Sequence, residues 1–245
     1  MNDGSPFTVY RLRPLQRQVD PEWLDDLPAD DPRAVRSRMD LRRVNGVMGH
    51  ARIIRSALRG RLPGSGARVA ELGAGDGTLL LSVLPKLGDC RRTRLVFVDR
   101  QPVVSGETIR RYAEHGCSAT IDAADVFDWL AHQTLVFDVI VANLFLHHFK
   151  PPELTRLLAL AACRTRLFAA CEPRRARMPL AGSRMLGLIG CNDVTRHDAH
   201  LSVRAGFTDQ ELSALWPADS SWTLAEGRAG LFSHLFTAVS VNRER

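Results

Sequence analysis

Apolar runs of strand length alternate with helix-compatible segments along most of this chain. From about residue 67, five apolar runs are separated by segments with helical spacing. Parallel sheets with helices on both faces show this alternation, because their strands are buried on both sides. The five strand candidates are ARVAEL (67–72), TRLVFVD (93–99), CSATID (117–122), FDVIVAN (137–143) and RLFAACE (166–172).

The segments between these strands predict helices. They are TLLLSVLPKL (78–87), VVSGETIRRYAEH (103–115), VFDWLAHQ (126–133) and PPELTRLLALAA (151–162), with a further helical region at 202–216. The closing strands, 221–230 and 232–240, have no helix between them, so they predict an antiparallel hairpin at one sheet edge. The pattern therefore predicts an α/β fold with a doubly wound, seven-stranded, mainly parallel sheet.

Two segments lie outside this alternation. Residues 1–62 are expected to form an N-terminal extension and helical cap, in which Asp31 precedes Pro32 as an N-cap and Gly46 and Gly49 break one helix from the next. The main domain is expected to span 63–245. Within it, residues 173–200 form a long connection rich in apolar residues and arginine, which predicts a lid or pocket wall.

Composition limits the cellular context. A chain of 245 residues with 45% hydrophobic content can bury one large core. Five cysteines without a C-x-x-C pair favour a reducing compartment, and the N-terminus has no apolar run of signal-peptide length, so we expect a cytoplasmic protein. The most apolar stretch is short and interrupted by Asp138 and Asn143, so no membrane span is expected. The oligomeric state is undetermined.

The chain is basic, with a formal net charge of +6 and a pI near 9.5. Lys86 and Lys150 are its lysines, and arginine supplies the rest of the positive charge. Such an excess favours non-specific attraction to anions. No block of basic residues with interleaved aromatics is present, however, so a nucleic-acid partner is disfavoured.

The stretch Glu71-Leu-Gly-Ala-Gly-Asp-Gly, at the end of the first strand, has the character of a ligand-binding loop. Gly73, Gly75 and Gly77 can adopt backbone angles that other residues avoid, and they leave no Cβ between main chain and ligand. The helix predicted at 78–87 would direct free N–H groups and its positive dipole end at the loop. An anionic group is therefore expected there.

The loop departs from the dinucleotide fingerprint G-x-G-x-x-G, because Thr78 occupies the position of the third glycine. Glu71-Leu-Gly-Ala-Gly-Asp-Gly, followed by Asp99 at the next strand end, resembles the first two motifs of class I S-adenosylmethionine (SAM) dependent methyltransferases, over roughly residues 65–175. The resemblance implies a Rossmann-like fold, SAM as cofactor and S-adenosylhomocysteine (SAH) as product. The cofactor-binding candidates are Glu71, Gly73, Ala74, Gly75, Gly77, Asp99, Arg100, Asp125, Val126, Asn143 and Leu144.

Two of these carboxylates have alternative roles. Asp99 lies where dinucleotide folds place the acid that accepts ribose hydroxyls, but a strand-end Asp also caps helices. By resemblance, Asp125 would accept from the adenine amino group while the Val126 N–H meets a ring nitrogen. Asp125 is equally suited to an N-cap, and the two roles are compatible.

The fourth strand is followed by Leu146-His147-His148, an ending that resembles many small-molecule methyltransferases. A histidine at a cavity mouth can serve as general base, because its pKa lies near neutrality. His148 is the preferred base, with His147 and His197 as further catalytic candidates; the alternative is one buried and one solvated imidazole. Phe145 is a candidate to approach the sulfonium. No Cys pair or H-E-x-x-H accompanies these histidines, so no metal is expected.

The sequence therefore predicts a SAM-dependent enzyme that methylates an oxygen or carbon of a small, largely apolar or aromatic metabolite, phenolic, quinone-like or polyketide, of the kind found in secondary metabolism. Two alternatives stay open. One is an RNA or protein methyltransferase, favoured by the basic charge. The other is a non-catalytic SAM-binding protein, because loop motifs report binding rather than chemistry.

Overall fold

One seven-stranded sheet organises the chain, which a computed structural model describes over residues 15–241. The strand order is β3-β2-β1-β4-β5-β7-β6. Strands β1 to β5 are parallel, and β7 runs antiparallel to both β5 and β6. The predicted doubly wound sheet with its antiparallel C-terminal hairpin is confirmed. The strands are β1 (Arg68–Leu72), β2 (Arg94–Asp99), β3 (Ser118–Ala123), β4 (Val139–Asn143), β5 (Leu167–Pro173), β6 (Trp222–Ala229) and β7 (Ser233–Ser240).

Strand β1 lies between β2 and β4, so the chain reverses its direction of travel across the sheet at this point. Glu71 pairs with Phe97 on one side and with Val141 on the other, which brings the carboxyl ends of β1, β2 and β4 together. Ligands of open α/β sheets bind in the crevice at such a switch point. The topology therefore directs attention to the loops after these three strands.

The helices lie on both faces of the sheet. They are α1 (Trp23–Asp26), α2 (Pro32–Met48), α3 (His50–Leu58), α4 (Gly106–Glu114), α5 (Val126–His132), α6 (Pro151–Ala162), α7 (Arg177–Met185), α8 (Asp193–Ala205) and α9 (Glu211–Leu215). One core packs α5, α6 and α9 on the sheet around Trp129, Leu157 and Trp216. The other packs α3 and α4 on the opposite face around Ile54 and Tyr112. Within residues 15–241, no helix is long and apolar enough to cross a membrane.

The predicted break in the N-terminal helices is present at Gly49, whereas Gly46, the other glycine expected to break the helix, lies within α2. The Asp31 side chain accepts from the Arg33 N–H at the start of α2, and Gly49, with φ +72°, ends α2 and begins α3. A left-handed residue at this position is a common helix stop, which glycine adopts without a Cβ penalty. The interpretation of the N-terminus as lacking a signal peptide falls largely on residues 1–14, outside the described residues.

The prediction of an α-helix at 78–87 is wrong. This segment forms two short 3₁₀ turns, Leu80–Ser82 and Leu84–Lys86. Pro85 explains the difference, since proline lacks an N–H and disfavours the helical conformation of the residue before it. The glycine loop is therefore followed by no α-helix, and the predicted attraction of an anion to a helix dipole has no basis here.

Candidate functional site

A cavity of about 750 Å³ lies at the carboxyl ends of β1, β2 and β4. Its floor is formed by the loops that leave these strands, including Glu71, Asp99 and Asn143. Its roof is formed by α1, α2 and the start of α3. The roof residues that line it are Leu24, Asp25, Asp26, Arg38, Leu41, Arg42, Asn45, Gly46, His50 and Ala51. This volume falls in the range of small-molecule and cofactor sites.

The glycine loop requires its glycines for separate reasons. Gly73, Gly75 and Gly77 have φ of +66°, +53° and +67°, the left-handed region that side chains disfavour. A Cβ on Gly73 would lie 2.2 Å from Phe145 Cδ2, whereas one on Gly75 would meet nothing within 4 Å. Gly77 is anchored by its carbonyl, which accepts from the Tyr112 hydroxyl at 2.6 Å. The loop is thus packed against protein at one end and open to the cavity in the middle.

Asp99 connects the loop to the second strand. Its Oδ2 accepts from the Gly75 N–H at 2.9 Å and its Oδ1 from the Gln101 N–H at 2.8 Å. The next helix, α4, is capped by Ser105, so Asp99 does not cap it. Each carboxylate oxygen has a second lone pair, which leaves Asp99 able to accept from a ligand in the cavity it lines.

Four buried polar atoms of the cavity walls lack a well-formed hydrogen bond in the protein, although the His50 and Asn143 side chains lie close enough to interact. They are Glu71 Oε2, Asn143 Oδ1, Asn45 Oδ1 and His50 Nδ1. Burial raises the pKa of Glu71 to about 8, with further repulsion from Asp76 and Asp99, and burial lowers the pKa of His50 to about 4. Buried polar groups are rarely left unpaired. Their convergence on one cavity therefore indicates a polar ligand that donates to them.

The structure brings most of the predicted cofactor-binding residues into this cavity. Those that line it are Glu71, Gly73, Ala74, Gly75, Asp99, Arg100, Asn143 and Leu144. Within the described chain, Gly77, Asp125 and Val126 are not part of the lining. The Asp125 side chain accepts from the Phe127 N–H at 2.8 Å and caps α5, which is the alternative role that the sequence allowed.

The turn after β4 is shaped by a fully buried carboxylate, Glu172, at the end of β5. Its Oε1 accepts from the backbone N–H groups of Phe145 and Leu146 at 3.0 and 2.9 Å. Burial alone would raise the pKa of Glu172, but His147 and these N–H groups lower it. The hydrogen bonds from the Phe145 and Leu146 N–H groups to Glu172 also hold the turn in which Leu144 adopts φ +53°. Sequence reasoning did not single out Glu172, because its partners lie far along the chain.

The three catalytic candidates are not part of the cavity lining within residues 15–241. His147 is buried, and its Nδ1 lies 2.8 Å from Glu172 Oε2. Burial would lower its pKa, but Glu172 and Glu22 raise it to about 9. His148 Nδ1 lies 3.3 Å from Asp25 Oδ2. His197 stacks on Trp23, with ring centroids 3.8 Å apart.

All three histidines instead contact an N-terminal strap, which we define as residues 15–26. The Arg17 guanidinium donates to the carbonyls of Ala205 and Phe149 at 2.7 and 2.9 Å. The Trp23 and Leu24 N–H groups donate to the Asp198 carboxylate, both at 2.9 Å. These bonds hold the strap against α8 and the turn after β4. Its end, Leu24 to Asp26, thereby forms part of the cavity wall.

The segment predicted to be a lid has a different position. Residues 173–200 form α7, a 3₁₀ turn at Leu186–Ile189 and most of α8, and within the described chain none of them lines the cavity. The segment supports the roof instead. The Asn192 N–H donates to Asp40 of α2 at 2.8 Å, and the Thr195 hydroxyl lies 2.9 Å from Ser37 Oγ.

Sequence reasoning missed the roof residues Arg38, Arg42, Asn45 and His50. The first three share one face of α2, because residues three and four apart lie on the same side of a helix. Arg42 Nε also lies 3.3 Å from Asp76 Oδ2 in the glycine loop. Their spacing along α2 was the signal in the sequence, but the same spacing is found when a polar helix face points to solvent rather than to a cavity.

Phe145, which was expected near the ligand, packs on Gly73 and edge-on against Phe149, with ring centroids 5.1 Å apart.

Comparison with known proteins places these features in context. Residues 70–167 match a family model described as a methyltransferase domain. An O-methyltransferase family protein from Burkholderia thailandensis is similar at 16% identity and a TM-score of 0.59, covering 86% of this chain and 61% of that chain. Mitomycin 7-O-methyltransferase is similar at 18% identity and a TM-score of 0.58, covering 89% and 60%.

The plantazolicin methyltransferase, solved in complex with a triazolic desmethylPZN analogue and SAH, is similar at 12% identity and a TM-score of 0.62, covering 90% of this chain and 93% of that chain. The search of curated proteins returned no match. This chain spans about three fifths of the length of the first two structures. At these identities the structural likeness establishes the fold.

Proposed function

We propose that the chain transfers the methyl group of SAM to an oxygen or carbon atom of a small, largely apolar or aromatic metabolite, as the match of residues 70–167 to a methyltransferase-domain model supports. Phenolic, quinone-like and polyketide acceptors fit this description. One observation carries the proposal: the glycine loop, Asp99 and the unpaired buried acceptors converge on a single cavity at the sheet's switch point.

The residues present fit SAM. Asp99 would accept from the ribose hydroxyls, and the open Gly75 lets the loop backbone approach the ligand. Glu71 Oε2 and Asn143 Oδ1 are buried acceptors that the SAM ammonium group would satisfy. Charge supports this assignment, because an ammonium donor would stabilise the Glu71 carboxylate that burial otherwise keeps protonated.

SAM supplies a methyl group activated by a positive sulfonium. The task of the chain is then to align an acceptor atom with that methyl group, and such alignment is worth about 7 to 11 kcal/mol of the barrier. A general base adds roughly 10²- to 10⁴-fold, or about 3 to 5 kcal/mol. The candidate histidines face the strap rather than the cavity. We therefore propose that positioning of the acceptor by the roof and floor lowers the barrier more than a general base does.

The roof supports a small acceptor. The end of the strap and α2 line the cavity, and walls that enclose the reacting atoms would keep water from the transfer. Its charged residues, Arg38 and Arg42, would attract an acceptor with an acidic or phenolic group. Both neighbouring structures described above as O-methyltransferases share the fold, which is consistent with a small-molecule acceptor.

Two measurements test the proposal. Isothermal titration calorimetry of the full chain should show saturable binding of SAM and SAH, and Asp99→Ala should weaken it at least about tenfold while exposed Asp89→Ala should leave it unchanged. SAM with a labelled methyl group, incubated with the enzyme and fractionated metabolites, RNA or protein, should label a metabolite fraction. The absence of binding would refute the cofactor assignment. Binding with no labelled product would favour a SAM-binding protein, and labelled RNA or protein would favour a macromolecular substrate.

A further inference from the structure

Beside the cofactor cavity, two histidines and a glutamate converge from distant parts of the chain. One ligand-capable atom each from Glu22, His147 and His148 lies within 4.8 Å of the others. Glu22 belongs to the strap, whereas the histidines belong to the turn after β4. His147 Nε2 and Glu22 Oε1 are 3.4 Å apart. Two ligands about 2.1 Å from one ion in a tetrahedral site are about 3.4 Å apart, so this pair already has the spacing of zinc ligands.

The buried Nε2 of His147 is the second observation. His147 is 2% exposed, and its Nε2 faces Glu22 Oε1 at 3.4 Å without a well-formed hydrogen bond. Because Glu172 holds Nδ1, either a proton or a metal ion can lie between Nε2 and the Glu22 carboxylate. A bound metal ion would take the place of that proton and be shared by the two groups.

The outer partners of the histidines match those of metal ligands. Metal-bound histidines usually donate their other ring nitrogen to a carboxylate, which fixes the ring and increases its basicity. His147 Nδ1 lies 2.8 Å from Glu172 and His148 Nδ1 lies 3.3 Å from Asp25. The third ligand, Glu22, is held by the Ser202 hydroxyl. Each member of the trio therefore has a partner that orients it.

From this geometry we propose that Glu22, His147 and His148 bind a divalent transition metal ion of the Zn²⁺ type. Two imidazoles and one carboxylate suit Zn²⁺, whereas Mg²⁺ prefers oxygen ligands alone. No metal was expected from the sequence, because no Cys pair or H-E-x-x-H accompanies the histidines. Glu22 lies too far from them along the chain to form a recognisable ligand spacing. This assignment gives His147 and His148 a role other than general base.

The ion would join the strap to the turn after β4. Glu22 immediately precedes α1, whose residues Leu24 to Asp26 line the cavity. Holding Glu22 on the two histidines would therefore hold this part of the cavity wall in place. The inference rests on the trio's geometry and does not depend on the proposed methyl transfer.

Direct binding tests the site. Full-length protein freed of metal with a chelator should bind one Zn²⁺ per chain in calorimetry, should develop a visible absorption band with Co²⁺, and should bind no Mg²⁺ there. His148→Ala and the near-isosteric Glu22→Gln should each weaken Zn²⁺ binding at least tenfold. Asp25→Asn, which removes an outer partner, should weaken it by roughly 10- to 100-fold. The exposed His115→Ala should leave it unchanged.

A thermal readout separates the site from a merely structural contact. Zn²⁺ should raise the melting temperature of the wild type and of His115→Ala, because a ligand that binds the folded state stabilises it. It should raise that of His148→Ala and Glu22→Gln much less. Circular dichroism checks that both variants fold. If His148→Ala does not fold, His148→Gln takes its place. The absence of saturable Zn²⁺ and Co²⁺ binding, or binding that both substitutions leave intact, would overturn the proposal.

Discussion

Gly73 and Gly75 provide a matched pair for testing how the glycine loop is built. Both have left-handed backbones, with φ of +66° and +53°. Alanine at either position should cost about 1–2 kcal/mol, because a Cβ in this region approaches the following carbonyl. They differ in surroundings: the Cβ of Gly73→Ala would lie 2.2 Å from Phe145 Cδ2, and that of Gly75→Ala in open space.

The additional clash sets the expected difference. Overpacking a close contact typically costs about 1–3 kcal/mol, because the neighbouring side chain must leave its preferred position. Gly75→Ala should therefore lower the free energy of unfolding by about 1–2 kcal/mol, and Gly73→Ala by about 2–5 kcal/mol. Chemical denaturation of the ligand-free protein measures both values with the same unfolding slope.

A double-mutant cycle assigns the difference to one contact. In a Phe145→Ala background, the steric part of the Gly73→Ala effect should disappear, which leaves a coupling energy of about 1–3 kcal/mol. The same cycle with Gly75 should give coupling within about 0.5 kcal/mol of zero. If the two alanine variants lose equal stability, or if Phe145→Ala fails to relieve Gly73→Ala, the packing of Phe145 on the loop is not what requires glycine there.

Three other predictions concern single carboxylates. Asp99→Asn should weaken SAH binding roughly 10- to 100-fold in calorimetry, because a lost charged acceptor is worth about 1.5–3 kcal/mol; an unchanged affinity would remove its ribose role. Glu71 has a pKa of about 8 in the folded protein and 4.5 in the unfolded chain, so the unfolding free energy of the ligand-free protein should fall as pH rises between these values. The fall should be smaller in Glu71→Gln, and it should be as large as in the wild type in the exposed control Glu107→Gln. Asp40→Asn should destabilise by about 1–3 kcal/mol in denaturant, since buried Asp40 accepts from the Asn192 N–H and pairs with Arg36 and Arg43; wild-type stability would contradict its role in joining α2 to α8.

The sheet could be predicted from the sequence because its signals are local. Each central strand is an apolar run buried on both faces, as β1 and β4 are, and each turn carries its own glycine or polar residues. The glycine loop and Asp99 follow from the same rule, since a switch-point site is built from the residues that end adjacent strands. Even the break at Gly49 is a local event, which is why its position was predictable.

Contacts between distant residues explain most of what the sequence did not predict. Glu172 is one acid among many until the fold places it beneath the N–H groups of Phe145 and Leu146. Asn45 and His50 become cavity residues only when α2 and α3 fold over the sheet. The error at 78–87 is different, because Pro85 was visible in the sequence and the apolar pattern was given more weight than it.

Local sequence motifs and contacts between distant residues determine different parts of the site. The floor of the cavity is encoded by loop motifs, which explains why a family model matches residues 70–167. The roof is encoded outside that range, in the strap, α2 and the start of α3. These elements supply the arginines that line the cavity and Asn45, whose Oδ1 is buried. A floor that binds the cofactor, as we propose, can serve many acceptors. Substitutions in the roof, such as Arg38→Ala, should therefore change the choice of acceptor more than they change SAH binding, and the reverse result would place acceptor recognition in the floor.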